Sequence, residues 1–570
     1  MKIGILTHPP DLSDYVAEVF TTWGLPAFDR IAQEQLDDLA PASTPVLVCP
    51  AAERDDRTHE DLIGYARRGG TVVTFLPRDK LADAAGLVCE GARAAPLRLR
   101  PARYPAGGVS GEDFPVVGEA GHYTEKSGAG VGIAYLYQPD TFVGESVGII
   151  ETPSGKGRIL AFAFDLPACV FTLRQGDPRQ VERAVGGNAR ADSIGIDLGP
   201  ADSGLVPFAD LLARWLVELA CRFVPAPVPL LWHLPGDAAA IVLYSGDEDG
   251  AEISATEQEF REVTAAGARM NLYIIPIGTD STAADVQRYR QDHDVGPHPN
   301  LRALDGRPIA ERVAEFERQI LLFEEMYGFR PTSVRNHCLS WAGYMELVEV
   351  QARLGIRMDA NFLCSAYMRD RCSSPYHLRG AAMPMRFCHP DGRLIDVLQQ
   401  HTHLSDDVWF QEDAPKSFHY SPEMYGALAE RILDDSATRF HVPYGVILHP
   451  GNWVRYSRAH GLVLLEKAAE RNVPVWSYDQ WCNFWLMRDQ WRVERLSWHD
   501  QTLRFTASGA PADGNLRWLI PAEFGERALE EVRVDGRPAP FGIVTRYRQD
   551  FAQVALGAGV DSCDIAAAYS

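Results

Sequence analysis

Ser245–Gly250 reads SGDEDG and closes the apolar run AAAIVLYS (Ala238–Ser245). Branched and aromatic side chains in such a run predict a buried strand, which delivers three acids to its C-terminal tip. Side chains alternate along a strand, so Asp247 and Asp249 are expected on one side and Glu248 on the other. Glu248 takes the place of one of them if the register shifts by one residue. Two carboxylates at one strand end can divide the labour of a hydrolytic site, one binding a cation while the other manages a proton. Histidines that could complete such a site lie downstream: 12 of the 16 fall between His233 and His460. The chemistry is therefore expected in the middle of the chain.

The 570 residues suffice for three or four domains, and 46% hydrophobic with 23% charged residues is an ordinary globular balance. A net charge of −22 with no basic stripe argues against a nucleic-acid partner, because that binding runs on cationic neutralisation of phosphates. A neutral or cationic substrate fits better. The opening MKIGILTHPP is too short an apolar run for a secretory signal. The most apolar later segment, LLARWLVELACRFV, carries Arg214, Glu218 and Arg222 at steps of four, which makes an amphipathic helix and not a membrane span. Ten cysteines without CxxC spacing read as buried free thiols, and a cytoplasmic location is expected.

Residues 1–225 alternate strands and helices: KIGILTH, then DYVAEVFTTWG, PVLVCP, HEDLIGYARRGG and TVVTFL. That beat predicts a parallel sheet. With its ARRGGTVVTF pattern (Ala66–Phe75), this part resembles the flavodoxin-like fold of class I glutamine amidotransferases, in particular the inactive versions attached to carbohydrate enzymes. The family's G-x-C-x-G nucleophile elbow is missing. The nearest cysteine, Cys49, stands in VCPAAE and reads as a packed strand residue. From about 95 to 200, Gly, Pro and short strands such as GKGRILAFAFDLP indicate a β-rich extension. The prolines of PAPVPLLWHLPG (Pro225–Gly236) mark a linker and a domain boundary near 225. Residues 226–489 repeat a strand–helix beat with polar residues at strand ends, which predicts a (β/α) barrel with its reactive groups at the C-terminal face. Residues 490–570 turn to short strands between Gly and Pro, predicting a small β-sandwich. The expected fold class is α/β multidomain.

Five ordered motifs in the middle region resemble the polysaccharide deacetylase family, whose catalytic domain is a distorted (β/α) barrel. SGDEDG stands where the family has T-F-D-D-G, which implies Asp247 as catalytic base and Asp249 as metal ligand. DHDVGPHPNLR (Asp292–Arg302) stands where the family has H-[ST]-x-x-H. It supplies His298, but Arg302 occupies the second histidine's position. His337 in SVRNHCLSW is the leading candidate for the missing ligand, and His293, which aligns ahead of the ligand, ranks second. Arg335 in the same segment fits the arginine that orients the base. Asp359 in GIRMDAN fits a carboxylate that orients a histidine, and His449 in GVILHPGNW fits the general acid.

The resemblance implies a divalent cation held by one carboxylate and two imidazoles. Zinc is the first choice, with cobalt, nickel or manganese also compatible with the ligands. Such an ion would activate water against an amide or ester carbonyl, with Asp247 taking a proton and His449 returning one to the leaving amine. Each residue also has a bland reading: a lone Asp at a strand end usually caps a turn, and Asp359 could do only that. In QQHTHLSDDVWF (Gln399–Phe410), His401 and His403 could line a sugar cleft with Trp409, bind a metal, or pack over the barrel mouth. Trp341 and Trp453 are open to the same alternatives.

The leading expectation is a metal-dependent hydrolase acting on an N-acylated sugar or related small amide. A non-sugar amide or cyclic imide is the second reading, and a non-catalytic carbohydrate-binding or assembly protein the third. The flanking modules would shape the cleft or mediate homo-oligomerisation.

Overall fold

The computed structural model describes residues 1–50, 55–93, 97–104, 112–139, 145–182, 184–185, 188–196, 205–363, 379–412 and 417–570. It shows an α/β multidomain chain with an N-terminal mixed sheet, central parallel sheets and a C-terminal antiparallel half-barrel region.

In the N-terminal sheet, Phe28–Ala32, Ile3–Thr7, Val46–Cys49, Thr71–Phe75 and Gly157–Phe162 lie side by side and parallel. The sheet then continues antiparallel through Ser146–Ser154, Val131–Tyr137, Leu97–Pro101 and Phe114–Val116. The β-rich stretch is thus the other half of one sheet. Cys49 ends a fully buried strand, as its apolar neighbours demand.

The central region has two sheets joined through one piece of chain. The first runs Asp294–Pro297, Asn271–Ile274, Ile241–Asp247, Pro443–Ile447, Leu404–Ser405, all parallel. The second runs Ser333–Val334, Met358–Asp359, Leu394–Gln399, with Met385–Cys388 antiparallel at its edge. Gln400 N donates to Asp359 O and Thr402 N to Phe362 O, so Leu394–Ser405 passes from one sheet into the other. At the opposite edges Arg335 N reaches Pro297 O and His337 N reaches Pro299 O.

Alternation along Ile241–Asp247 explains its burial on both faces: Ile241 and Leu243 pack with one core, Val242 and Tyr244 with a second core shared with Leu272, Val446 and the outer helices. The first core is continuous from Ile3 to Tyr569, so the three regions pack as one body.

The stretch read as a linker is mostly buried. Leu230–Leu231 forms a short strand against Trp518 and Leu519 at the edge of the C-terminal antiparallel sheet. The flanking prolines keep it extended without costing hydrogen bonds, because it is an edge strand. Arg488 fastens the junction: its fully buried guanidinium donates to the carbonyls of Thr21, Thr22, Leu231 and Trp232. Among the described residues no helix is long and apolar enough to cross a membrane.

Candidate active site and metal centre

The site forms where the parallel strands end. Ile241–Asp247 finishes on Asp247, and Glu248 N donates to Tyr273 O, after which the chain leaves the sheet. Asp249 is left-handed (φ 46°), a conformation Asp tolerates better than most residues. It is this turn, and not continued strand alternation, that brings its carboxylate beside Asp247. Glu248 faces away and accepts from the hydroxyls of Thr279 and Ser281 at 2.9 and 2.6 Å. Gly246 lets the neighbouring segment approach: a Cβ there would meet Leu448 O at 2.6 Å, just before His449.

Three imidazoles converge on Asp249. Nε2 of His298 lies 3.1 Å from Oδ1, and the Nε2 atoms of His337 and His449 each lie 3.6 Å from Oδ2. His298 follows the strand Asp294–Pro297, and its Nδ1 is 2.7 Å from Arg335 O. A carbonyl only accepts, so Nδ1 carries the proton and Nε2 faces the carboxylates. Nε2 makes no hydrogen bond, although the side chain is only 1% exposed.

His449 follows the strand Pro443–Ile447, and its Nδ1 lies 2.6 Å from Asp406 Oδ1. Asp406 also accepts from His449 N and Asn452 Nδ2, and the side chain is fully buried.

Charge explains the titration of these groups. Burial pushes the Asp249 carboxyl upward, but His298, His449 and His337 together hold it well below the usual range. Burial lowers the His449 imidazole, yet Asp406, with Asp407 and Asp249, lifts it well above its ordinary value. Burial lowers His298 too, against Asp247 and Asp249, which leave it raised. At His337 burial prevails over Asp249, and the net shift is downward.

Asp247 is held from behind. Arg335 Nη1 donates to its Oδ1 at 3.0 Å and to Ser245 Oγ at 2.7 Å, Nε reaches Ala360 O, and Nη2 reaches Thr402 Oγ1. The guanidinium is fully buried and lies over the rings of Tyr273 and Tyr478, so its aim is fixed by packing as well as by hydrogen bonds. Asp247 Oδ2 remains 3.7 Å from His298 Nε2.

A cavity of about 60 Å³ opens on this cluster, lined among others by Arg190, Asp247, Asp249, Cys338, Ser405 and His449. Arg190 comes from the N-terminal region, bridged to Ser340. A larger cavity of about 450 Å³ lies between the helix Phe208–Arg222 and the C-terminal region, and it is lined by no histidine.

The structure thus gathers Asp247, Asp249, His298, Arg335, His337 and His449. Asp359 is different. Its carboxylate accepts from Gln351 Nε2 and from the backbone and side-chain amides of Asn361, with no imidazole on it. The expected role of orienting a histidine falls geometrically to Asp406, which lies in the polar cluster Gln399–Phe410 and was given no role from the sequence. Asp359 instead braces the loop Ala360–Asn361, which in turn holds Arg335 Nε and Asn336 N.

His293 lies elsewhere, stacked on Phe260 with centroids 4.1 Å apart and Nε2 3.0 Å from Thr264 Oγ1. His403 accepts from Gly445 N and reaches Ala381 O, and His401 is buried against Phe362. Trp409 packs among Phe418 and Tyr420, Trp453 donates to Glu262, and Trp341 donates to Tyr344 O. None of these six lines the cavity.

Among the described residues no group of three or more His, Cys, Asp or Glu side chains is arranged so that it could hold a metal ion. The chemistry of the donors nonetheless fits a divalent cation. Bond lengths of about 2.0–2.2 Å at a tetrahedral angle place oxygen and nitrogen donors about 3.4 Å apart. The contacts of 3.1–3.6 Å between Asp249 and the three Nε2 atoms bracket that spacing. The buried His298 Nε2, which faces a carboxylate and makes no hydrogen bond, also lacks a partner that a cation would supply.

No family model and no curated protein matches the sequence. Among solved structures, the carbohydrate deacetylase Agd3 is similar over 99% of this chain and 98% of its own, at 9% identity and a TM-score of 0.41. A putative polysaccharide deacetylase from Mycobacterium smegmatis aligns with 46% of this chain and 93% of its own, at 13% identity and 0.33. The exo-beta-1,4-mannosidase Op5Man5 from Opitutaceae bacterium strain TAV5 aligns with 30% of this chain at 10% identity and 0.24, and the match spans 32% of that enzyme. Likenesses of this size carry no argument about the reaction, which rests on the side chains.

Proposed function

We propose that the chain is a metal-dependent hydrolase that removes an acyl group from an N-acylated sugar or a related small amide. The observation that carries this reading is the convergence of three imidazole Nε2 atoms on Asp249 beside an arginine-held Asp247. Asp249, His298 and His337 would hold the cation, with zinc the best match to one carboxylate and two imidazoles. Such an ion supplies an acidified water and polarises a carbonyl.

The chain's own groups would do the rest. Asp247, with Oδ1 held by Arg335, keeps Oδ2 free to take a proton from water at the cavity floor. His449, whose imidazolium Asp406 favours through Nδ1, would give its Nε2 proton to a departing amine. Leu339, Leu363 and Ile447 in the cavity wall limit water around the acyl group. In this reading the two joined central sheets form a distorted (β/α) barrel, flanked by a flavodoxin-like unit and a C-terminal sandwich. The shared segment Leu394–Ser405 supports the barrel.

The test is to strip the protein of metal, reload it with one equivalent of zinc, and measure acetate released from oligomers of N-acetylglucosamine. Release that depends on zinc and is lost in Asp247→Asn is expected. Failure to retain more than about a tenth of an equivalent of any divalent metal would reject the reading.

A further inference from the structure

The cavity wall carries a thiol that the reaction outlined above leaves unused. Cys338 directly follows His337, and its Sγ lies 3.5 Å from His337 Nε2 and 3.8 Å from Arg302 Nη1. The backbone is bent to put it there: Cys338 and Leu339 are both left-handed, with φ of 54° and 53°. Non-glycine residues in that region are strained and tend to persist where surrounding structure enforces them at a site. Cys338 lines the same cavity as Asp247, Asp249 and His449. Arg302 stands where a second histidine ligand was expected from the sequence. It brings a guanidinium to the sulfur.

The spacing is that of neighbouring donors on one ion. Bonds of about 2.3 Å to sulfur and 2.0–2.1 Å to nitrogen, at the tetrahedral angle, separate the two donors by about 3.5 Å. A second observation points to a ligand independently of the cysteine: His298 Nε2, buried and without a hydrogen bond while Nδ1 is engaged by Arg335 O, faces the same centre.

We propose that Cys338 is a further, sulfur ligand of the cation held by Asp249, His298 and His337, which biases the site toward thiophilic ions such as zinc over manganese or magnesium. This rests on the reading of those three residues as a metal set. On binding, the Cys338 S–H bond breaks, the proton leaves to solvent, and the sulfur electron pair forms the bond to the ion, so one proton is released per thiolate formed.

Titration of the metal-free protein with cobalt(II), followed by absorption, tests this without substrate. Visible ligand-field bands and a near-ultraviolet sulfur-to-cobalt charge-transfer band should rise together to one equivalent. Cys338→Ser should keep the former, lose the latter and bind cadmium at least about tenfold more weakly. Cys89→Ser, which alters an exposed thiol far from the cavity, should keep both bands. Ligand-field bands without charge transfer in the unaltered protein would overturn the role of Cys338 and leave the metal set standing, whereas the absence of both would remove the metal set itself. A second measurement needs no variant: one equivalent of zinc should slow alkylation of Cys338 by iodoacetamide, mapped by peptide mass spectrometry. Unchanged labelling counts against the proposal.

Discussion

Nδ1 of His449 lies 2.6 Å from Oδ1 of Asp406, across the seam between the strands Pro443–Ile447 and Leu404–Ser405, while its Nε2 faces Asp249. The carboxylate thereby fixes both the tautomer and the direction of the ring. Asp406→Asn keeps an acceptor of the same shape but removes the charge. Turnover should fall by about 10- to 100-fold while metal content stays at one equivalent. His449→Ala should lose about 10² to 10⁴. Release of metal by Asp406→Asn, measured by elemental analysis, would instead place His449 among the ligands.

Asp247 and Asp249 stand side by side for different reasons, the first by strand direction and Arg335, the second by a left-handed turn. Asp249→Ala should therefore release the metal. Asp247→Asn should retain it and lower turnover by at least about 10². The opposite pattern would exchange the two roles, and equal loss of metal in both would mean that the carboxylates bind together.

Cys49 is buried at the end of Val46–Cys49, in a unit without a nucleophile elbow. Cys49→Ala should leave acetate release unchanged, and incubation with glutamine should leave no adduct on the thiol by mass spectrometry. A covalent acyl or glutamyl species there would overturn the packing role.

What could be read in the sequence follows from where the physics is local. SGDEDG after an apolar run, and GVILHP after another, announce strand ends that carry polar groups, and both do so in the structure. Asp406 was hidden because LSDDVW looks like the acidic start of a helix, and it does begin one, Asp406–Trp409. Only the pairing of Leu404–Ser405 with Val446 and Ile447 brings it to His449, which is 43 residues away in the chain. The one available signal was the repeat of a strand end followed by acids.

Asp359 failed for the converse reason. It does end a strand, but Gln351, one helix earlier and fully buried, claims its carboxylate. A buried amide needs a partner, and sequence does not show which buried amide lies nearby. The strand Phe28–Ala32 (FDRIA) went unread because an edge strand with exposed Asp29 and Arg30 lacks a clean apolar alternation.

The ligand set is separable by calorimetry. His298→Ala and His337→Ala should each weaken zinc binding strongly, since the loss of a protein ligand exceeds the roughly 10- to 100-fold cost of losing its supporting contacts. His293→Ala should change affinity little, because its ring is stacked on Phe260 and hydrogen-bonded to Thr264. Normal binding by His337→Ala would remove it from the set.

A last prediction concerns stability at the base of the central sheets, away from the proposed metal ligands. Asp479 is buried at the start of the helix Tyr478–Arg488, where its Oδ1 accepts from Ser333 Oγ at 2.6 Å and Asn271 Nδ2 at 3.1 Å. Burial, with help from Asp294, overcomes those hydrogen bonds and raises its carboxyl to about 7. An unfolded chain gives up this proton near pH 3.9, whereas the folded one keeps it to about 7. Between those values the folded state binds more protons, so stability should fall as pH rises from about 4 to about 7 and level off above. Three units correspond to an upper limit of about 4 kcal/mol. Asp165, Asp210 and Asp359, each raised by burial to about 6, slope in the same direction, so the unaltered protein shows a sum. Asp479→Asn keeps an acceptor for Ser333 and Asn271 and cannot ionise. Its thermal midpoint, compared with that of the unaltered protein at matched pH, should gain progressively between pH 4.5 and 8. Parallel curves would show that Asp479 titrates in the folded protein as it does in the unfolded chain.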